Sequence, residues 1–276
     1  MFVEESLRAT SDYLAVFLTV AVDAARAAGE VIRAGAINRS NLNIERKHAN
    51  DFVSVIDKSA ERVIIDTLAA KFPRHAFKAE ESGEAGTSAC TWLIDPLDGT
   101  TNFLHGIPHY CVSIALRMES AVVVGVVFDP TSGRLFTALR GRGAFLDGVR
   151  LHVSARPGLD EAVLGTGFPY KDWTYIDDYM ASLRDIMQRC AGIRRPGAAA
   201  LDLAYVSAGW VDGHWEKNLN AWDVGAGSLL VREAGGIVST FDGGDAFLDS
   251  GQIVAGTPGV HAALLDVLAR YPALAA

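Results

Sequence analysis

From Ser6 to about Ala36 the chain is dense in Ala, Val and Leu, carries no proline, and has its apolar stretches interrupted by Asp12, Asp23 and Arg26. That pattern predicts a core-facing helix. A second helix is predicted from Asp57 to Phe72, where Ala60, Val63, Ile64 and Leu68 fall at helical spacing and Pro73 ends the run. Between the two, Asn38 to Asp51 is polar and charged and is read as a mobile loop. From Thr91 the texture changes to short β-rich runs, TWLID, CVSIAL, AVVVGVVFDP and RLFTAL, with Asp147-Gly148 as a hairpin turn. After Pro157 helix and strand alternate again. A strand is predicted at Ala162 to Thr166, a helix at Ile176 to Arg189, a short strand at Gly192 to Arg195 and a helix at Ala198 to Ser207. A last helix opens near Asp223 and stops at Gly235-Gly236. No repeat or long linker interrupts the chain. The expectation is one α+β unit spanning 1–276, layering helices on largely antiparallel sheet, with a weak seam near 150–160.

Composition narrows the function classes. The 276 residues carry 25 Lys and Arg against 33 Asp and Glu, a net charge of −8, and no Lys/Arg block exceeds two residues. Phosphate neutralisation needs a basic face, so no nucleic-acid partner is expected. The longest early apolar run, Tyr13 to Val22, is broken by Thr19 and is far short of the ~20 residues that cross a bilayer. Glu4, Glu5 and Asp12 precede it where a signal peptide would be basic, so a soluble cytoplasmic protein with no membrane partner is expected. Cys90, Cys111 and Cys190 are scattered without metal-ligand spacing and read as idle thiols.

The chemistry concentrates in WLIDPLDGTTNFLHG, Trp92 to Gly106. A strand delivers Asp95, Pro96 biases it to an extended conformation, and the chain must turn at Asp98-Gly99. Two carboxylates three residues apart therefore project from one corner. Thr100 to Leu104 can form a short helix whose first N–H groups suit an anion. D-x-x-D-G is also ordinary turn chemistry. Its company gives it more weight: Glu80-Glu81-Ser82 lies fifteen residues upstream of Asp95, and Trp222-Asp223 opens a glycine-rich helix.

These motifs resemble the inositol monophosphatase family of magnesium-dependent, lithium-sensitive sugar and polyol phosphatases. The match runs from KHAND (Lys47 to Asp51) and VID (Val55 to Asp57) through EES (Glu80 to Ser82) and DPLDGTTNF (Asp95 to Phe103) to WEKNLNAWDVGAG (Trp215 to Gly227) and EAGG (Glu233 to Gly236). Ala79 and Ala198 depart from the family's usual residues, and neither removes a ligand.

The resemblance implies a layered sugar-phosphatase fold, two or three Mg²⁺ ions and a homodimer. Glu80, Asp95 and the carbonyl of Leu97 would hold the first ion, and Asp95, Asp98 and Asp223 the second, with a weaker third near Glu80. Convergent carboxylates around a dianionic phosphate need such compensation, and an all-oxygen set suits Mg²⁺. The reaction implied is in-line attack of water on a phosphate monoester, with Glu80 and Thr100 orienting and deprotonating the water and Asp57 supporting Thr100. Gly99 and Thr100 would hold phosphate oxygens. Asp98, Gly197, Ala199, Glu216 and Asp223 would bind the alcohol, and Lys47 and Asp51 would belong to a lid loop. His105, His109 and His214 are read as packing or surface residues, and Asp242, Asp245 and Asp249 as a polar turn. The expected substrate is inositol monophosphate or a close polyol phosphate. Alternatives are fructose-1,6-bisphosphate, histidinol phosphate or a nucleotide phosphate, and, from another class, a non-catalytic interaction protein on the same fold.

Overall fold

The computed structural model describes the backbone of residues 2–37, 44–48, 51–170 and 172–275, and the side chains of 13–37, 55–170 and 172–274. In chain order its elements are α1 (Phe2–Ile37), β1 (Ile44–His48), β2 (Asp51–Ser54), α2 (Val55–Lys71), β3 (Ala76–Ala79), β4 (Gly83–Ala85), β5 (Cys90–Asp98) and α3 (Thr100–His105). Then come β6 (Cys111–Met118), β7 (Ala121–Phe128), β8 (Leu135–Leu139), β9 (Gly143–Leu146), β10 (Val149–Arg150), β11 (Val163–Thr166) and α4 (Ile176–Met187). The remainder is β12 (Gly192–Arg194), α5 (Ala199–Ser207), β13 (Gly213–Lys217), α6 (Ala221–Glu233), β14 (Ile237–Ser239), α7 (Phe247–Ser250), β15 (Gln252–Gly256), α8 (Pro258–Leu268) and α9 (Pro272–Ala275).

The long first helix buries Ala21, Ala24, Ala25, Ala28 and Ile32, the three-and-four spacing of a single face. With α2 it covers one side of an eight-stranded sheet ordered β10-β9-β8-β7-β6-β5-β3-β4. Strands β5 to β7 carry long apolar runs because both faces are covered, the buried exceptions being Asp95 and Ser113. Trp92, Ile94, Val112 and Ile114 pack with α1 and α2, whereas Leu93, Ala115 and Val127 pack with α5 and α6. The far side of α5 and α6 rests on a second sheet, β12-β11-β13-β15-β14, whose other face is closed by α4 and α8. The result is five layers, helix–sheet–helix–sheet–helix, an α+β architecture.

Most pairing is antiparallel. The exceptions are β3 with β5, and β11 with both β12 and β13. Asp147 and Gly148 both have positive φ, 50° and 82°, as a two-residue hairpin between β9 and β10 requires.

The region read as a mobile loop, Asn38 to Asp51, is different where it is described. Ile44–His48 and Asp51–Ser54 pair as a separate antiparallel hairpin. IERKH and DFVS are short and largely polar, and show no hydrophobic alternation that would signal strands. Residues 38–43, 49 and 50 lie outside the described residues. Among the described residues no helix is long and apolar enough to cross a membrane.

Candidate active site

Asp95 and Leu93 are two apart on β5, so both side chains point to the α6 side of the sheet. Asp95 is 2% exposed. The β5–β6 register slips between Asp95 and Asp98, and Pro96 sits in that irregularity, where its missing N–H breaks no ladder bond. The slip turns Asp98 to the same cleft. The Leu97 N–H donates to Asp95 Oδ1 at 3.0 Å, fixing the carboxylate against its own turn.

Gly99 follows at φ 92°, and a Cβ there would stand 2.9 Å from the His109 carbonyl oxygen and 3.2 Å from Ala198 Cβ. Only glycine fits that crossing. Helix α3 begins at once, bringing Thr100 Oγ1 to 3.1 Å from Asp57 Oδ1 and 3.0 Å from the Leu97 carbonyl oxygen. Both neighbours are acceptors, so the Thr100 hydroxyl proton is directed at them and its lone pairs face the cleft. Asp57 itself is 1% exposed at the start of α2.

Helix α6 delivers Asp223 from the other side. Its small residues make this possible: a Cβ on Gly225 would touch Leu93 and Ala115, and one on Gly227 would press to 2.5 Å of Leu203 Cβ. Asp223 Oδ2 accepts the Asn220 N–H at 2.6 Å, half of a capping box that fixes the helix start. Glu80 arrives from the end of β3, its N–H bonded to the Ile94 carbonyl of β5.

Glu80, Asp95, Asp98 and Asp223 thus line one cleft of about 530 Å³. Burial, followed by the charges of Glu80, Asp98 and Asp223, pushes the Asp95 carboxyl well above the usual carboxylate range. Asp98 is pushed up by burial and then by Asp223, against the opposing Ala200 N–H that donates to its Oδ2 at 2.7 Å. As the side chains stand, no three described His, Cys, Asp or Glu residues converge tightly enough to close a metal-ligand set. The donor chemistry nonetheless fits a hard divalent cation: several carboxylates share one cleft, and two of them resist ionisation for want of compensating charge. The nearby Cys111 is held as a thiol by burial and points at Asp98 Oδ2 from 3.8 Å, so it is no thiolate competitor.

The other end of the cleft is built differently. Gly197 (φ 94°), just before α5, and Ala199, its first residue, line the cleft. Asn102 ties this segment to α3 by donating to the carbonyls of His109 (2.7 Å) and Pro196 (2.8 Å). Glu216 projects from β13 into the same cleft. Its carboxylate pairs with His214, while the Lys217 ammonium donates to the carbonyls of Ala273 and Leu274. The strand of Asp51, β2, lies near α2 and α3, and the strand of Lys47, β1, pairs with it; the side chains of both residues fall outside the described residues. His109 is partly buried and bonded to Asp202 at 3.0 Å, and His214 is fully buried. The Asp242 region is a polar turn in which Asp242 accepts from Thr240 and Gly244.

Sequence reasoning missed one wall of the cleft, formed by Phe168, Tyr170, Tyr175 and Arg195. Arg195 lies over the rings of Phe168 and Tyr170, 5.8 and 5.1 Å from their centroids. The available signal was Gly165-Thr166-Gly167, since glycines in and just past a strand mark a close approach by other side chains.

The fold is a layered α+β arrangement with one carboxylate-lined cleft between its two sheets. The chain belongs to the inositol monophosphatase family, whose model matches residues 14–272. It is 51% identical over 250 residues to the Nus factor SuhB of Salmonella typhimurium, a match covering 90% of this chain and 94% of that protein. The crystal structure of extragenic suppressor protein suhB from Bartonella henselae superposes with a TM-score of 0.89 at 44% identity, covering 92% and 98% of the two chains. Inositol monophosphatase from Anabaena superposes with a TM-score of 0.82 at 36% identity, covering 94% and 98%.

Proposed function

We propose that this chain is a Mg²⁺-dependent phosphomonoesterase acting on inositol monophosphate or a close polyol phosphate. The observation that carries the proposal is the hydroxyl of Thr100, aimed at Asp57 and the Leu97 carbonyl beside four carboxylates in one cleft. Glu80, Asp95, Asp98, Asp223 and the Leu97 carbonyl are the groups that would hold two or three Mg²⁺ ions. When bound, Mg²⁺ offsets the carboxylate charge and stabilises the negative charge developing on the phosphoryl oxygens.

The protein's own groups do the rest. The N–H groups of Gly99 and Thr100 bind phosphoryl oxygens. Glu80 takes a proton from the attacking water, while Thr100, its hydroxyl hydrogen committed to Asp57 and Leu97, accepts the water's other hydrogen in a hydrogen bond and so orients it. The new P–O bond forms as the ester P–O bond breaks, and the departing alcohol oxygen takes a proton from solvent at the open face. Asp98, Glu216 and Asp223 accept hydroxyls of the polyol, and the hairpin bearing Lys47 and Asp51 serves as a lid. Phosphate release from a panel of monoesters, with and without Mg²⁺, tests the assignment; no Mg²⁺-dependent release from any of them overturns it. Lithium inhibition that deepens as substrate rises, with NaCl matched as control, is expected if Li⁺ enters the Asp95, Asp98 and Asp223 site after the alcohol leaves. Pure competition with substrate contradicts that trapping. Light scattering tests the homodimer that family analogy supports.

A second reading rests on the name Nus factor carried by the 51%-identical relative, which brings a role in transcription into view. The expectation of no nucleic-acid partner therefore loses its support. A catalytically dead variant that retains such a role in cells would separate the two readings.

A further inference from the structure

Strand β11 runs parallel to β13 with Gly165 opposite His214 and Thr166 opposite Trp215. Both positions flanking Thr166 are glycine, and the space where their side chains would stand is filled. A Cβ on Gly165 would lie 2.7 Å from His214 Nδ1, and one on Gly167 would lie 1.7 Å from Glu216 Oε1. The two glycines therefore form a cradle for one imidazole and one carboxylate from the neighbouring strand.

Within that cradle His214 Nε2 lies 3.2 Å from Glu216 Oε2. The ring is fully buried, and its Nδ1 has no hydrogen-bond partner among the described residues. A proton on Nδ1 would be a buried unpaired donor, so the network assigns the proton to Nε2, which donates to Glu216. One carboxylate oxygen is thereby committed. The other, Oε1, makes no hydrogen bond among the described residues and lies over Gly167 at the cleft wall, with the side chain 17% exposed. It is an acceptor held ready for a donor from the ligand.

Resting on the proposed phosphatase function, we propose that His214 is a positioning residue that turns Glu216 into a one-oxygen acceptor, so that the site selects polyol phosphates presenting a hydroxyl to Oε1. His214 touches neither phosphate nor metal ligand; it acts through Glu216 alone. Gly167 is part of the device, because any side chain there displaces the carboxylate.

The test compares inositol 1-phosphate with glycerol 2-phosphate, which has fewer hydroxyls to offer. His214→Phe keeps an aromatic ring and removes the donor. It lowers the ratio of kcat/KM for the inositol ester over the glycerol ester by about tenfold, chiefly through KM, as expected when a charge-assisted hydrogen bond is lost. His214→Gln, which places an amide donor near the former Nε2, restores most of the ratio. In a Glu216→Ala background His214→Phe has no further effect on the ratio. Should His214→Phe not fold, Gly167→Ala reads out the same selective loss from the other side of the cradle. Equal losses on both esters, an unchanged ratio, or an undiminished effect without Glu216 overturn the proposal. Failure of the parent enzyme to hydrolyse either ester is a different result: it overturns the proposed function and this inference with it.

Discussion

The two sheets supply the two ends of the cleft, and they do so by different means. The eight-stranded sheet presents Asp95, Asp98, Gly99 and Thr100 from one continuous stretch, where a strand, a register slip and a helix start follow one another. The five-stranded sheet presents Glu216 only because a segment about fifty residues earlier leaves room for its partner His214 at Gly165, on β11, and for Glu216 itself at Gly167, just past that strand. The first end is a local motif. The second is a product of strand register. On the proposed function, the core of the reaction chemistry sits on one local motif, completed by Glu80 after β3 and Asp223 on α6, while substrate choice sits on a pairing of distant segments that can be tuned one side chain at a time.

The largest test of this division is Asp95→Asn. The change is nearly isosteric and removes one negative charge where Glu80, Asp98 and Asp223 also act. Turnover at saturating Mg²⁺ falls by more than the roughly 10²–10³-fold that loss of one transition-state-stabilising donor costs. The fold survives: without Mg²⁺ the variant melts no lower than the parent, because repulsion among the carboxylates is relieved. Near-parental turnover would place the metal chemistry elsewhere.

Glu80→Gln comes next, again on the first sheet. Loss of a general base lowers kcat by about 10²–10⁴-fold with little change in KM. If KM rises instead, Glu80 is a binding group and the division between the two ends fails from the chemical side.

On the second sheet, Glu216→Ala weakens hydrolysis of inositol 1-phosphate more than that of glycerol 2-phosphate. The difference expected is roughly 1.5–3 kcal/mol in kcat/KM, the range for a hydrogen bond to a charged group. Equal loss on both esters would make Glu216 structural and remove the second sheet from substrate selection.

The same division explains what could be read in advance. The carboxylate corner was legible because Asp95-Pro96-Leu97-Asp98-Gly99-Thr100 dictates its own turn, down to the glycine that only positive φ and a close crossing permit. The helices α1 and α2 were legible from long apolar stripes. The hairpin of β1 and β2 was not, because IERKH and DFVS carry no alternation long enough to signal strands. The second sheet's strands, three to five residues each, are too short for periodicity to reveal which of them are neighbours. His214 read as packing and is packed, yet its bond to Glu216 depends on the parallel register with β11, which no local pattern encodes. The wall of Phe168, Tyr170 and Arg195 was missed for the same reason.

The smallest effect asks whether the two sheets unfold together, as the single unit proposed for residues 1–276 requires. Each sheet's surroundings contain a histidine whose pKa is lowered mainly by burial. His75 stacks on Phe72 and Trp92 beside the first sheet, with centroids 5.0 and 6.0 Å away. His261 on α8, beside the second, has its Nε2 2.8 Å from Ser239 Oγ. A lowered folded-state pKa means that above the ordinary value of 6.5 both states are neutral and neither histidine contributes to pH dependence. As pH falls below 6.5 the unfolded chain binds a proton that the folded chain refuses, and stability drops until the folded pKa is passed, by about 1.4 kcal/mol for each unit separating the two values. His75→Phe preserves the stack and removes one of these sites; His261→Gln preserves a partner for Ser239 and removes the other. If the sheets form one cooperative unit, each variant flattens the acid limb of a single thermal transition below pH 6.5, and the double variant flattens it by the sum. Two transitions, with His75→Phe acting on one and His261→Gln on the other, would show instead that the phosphate end and the alcohol end of the cleft stand on independently stable halves.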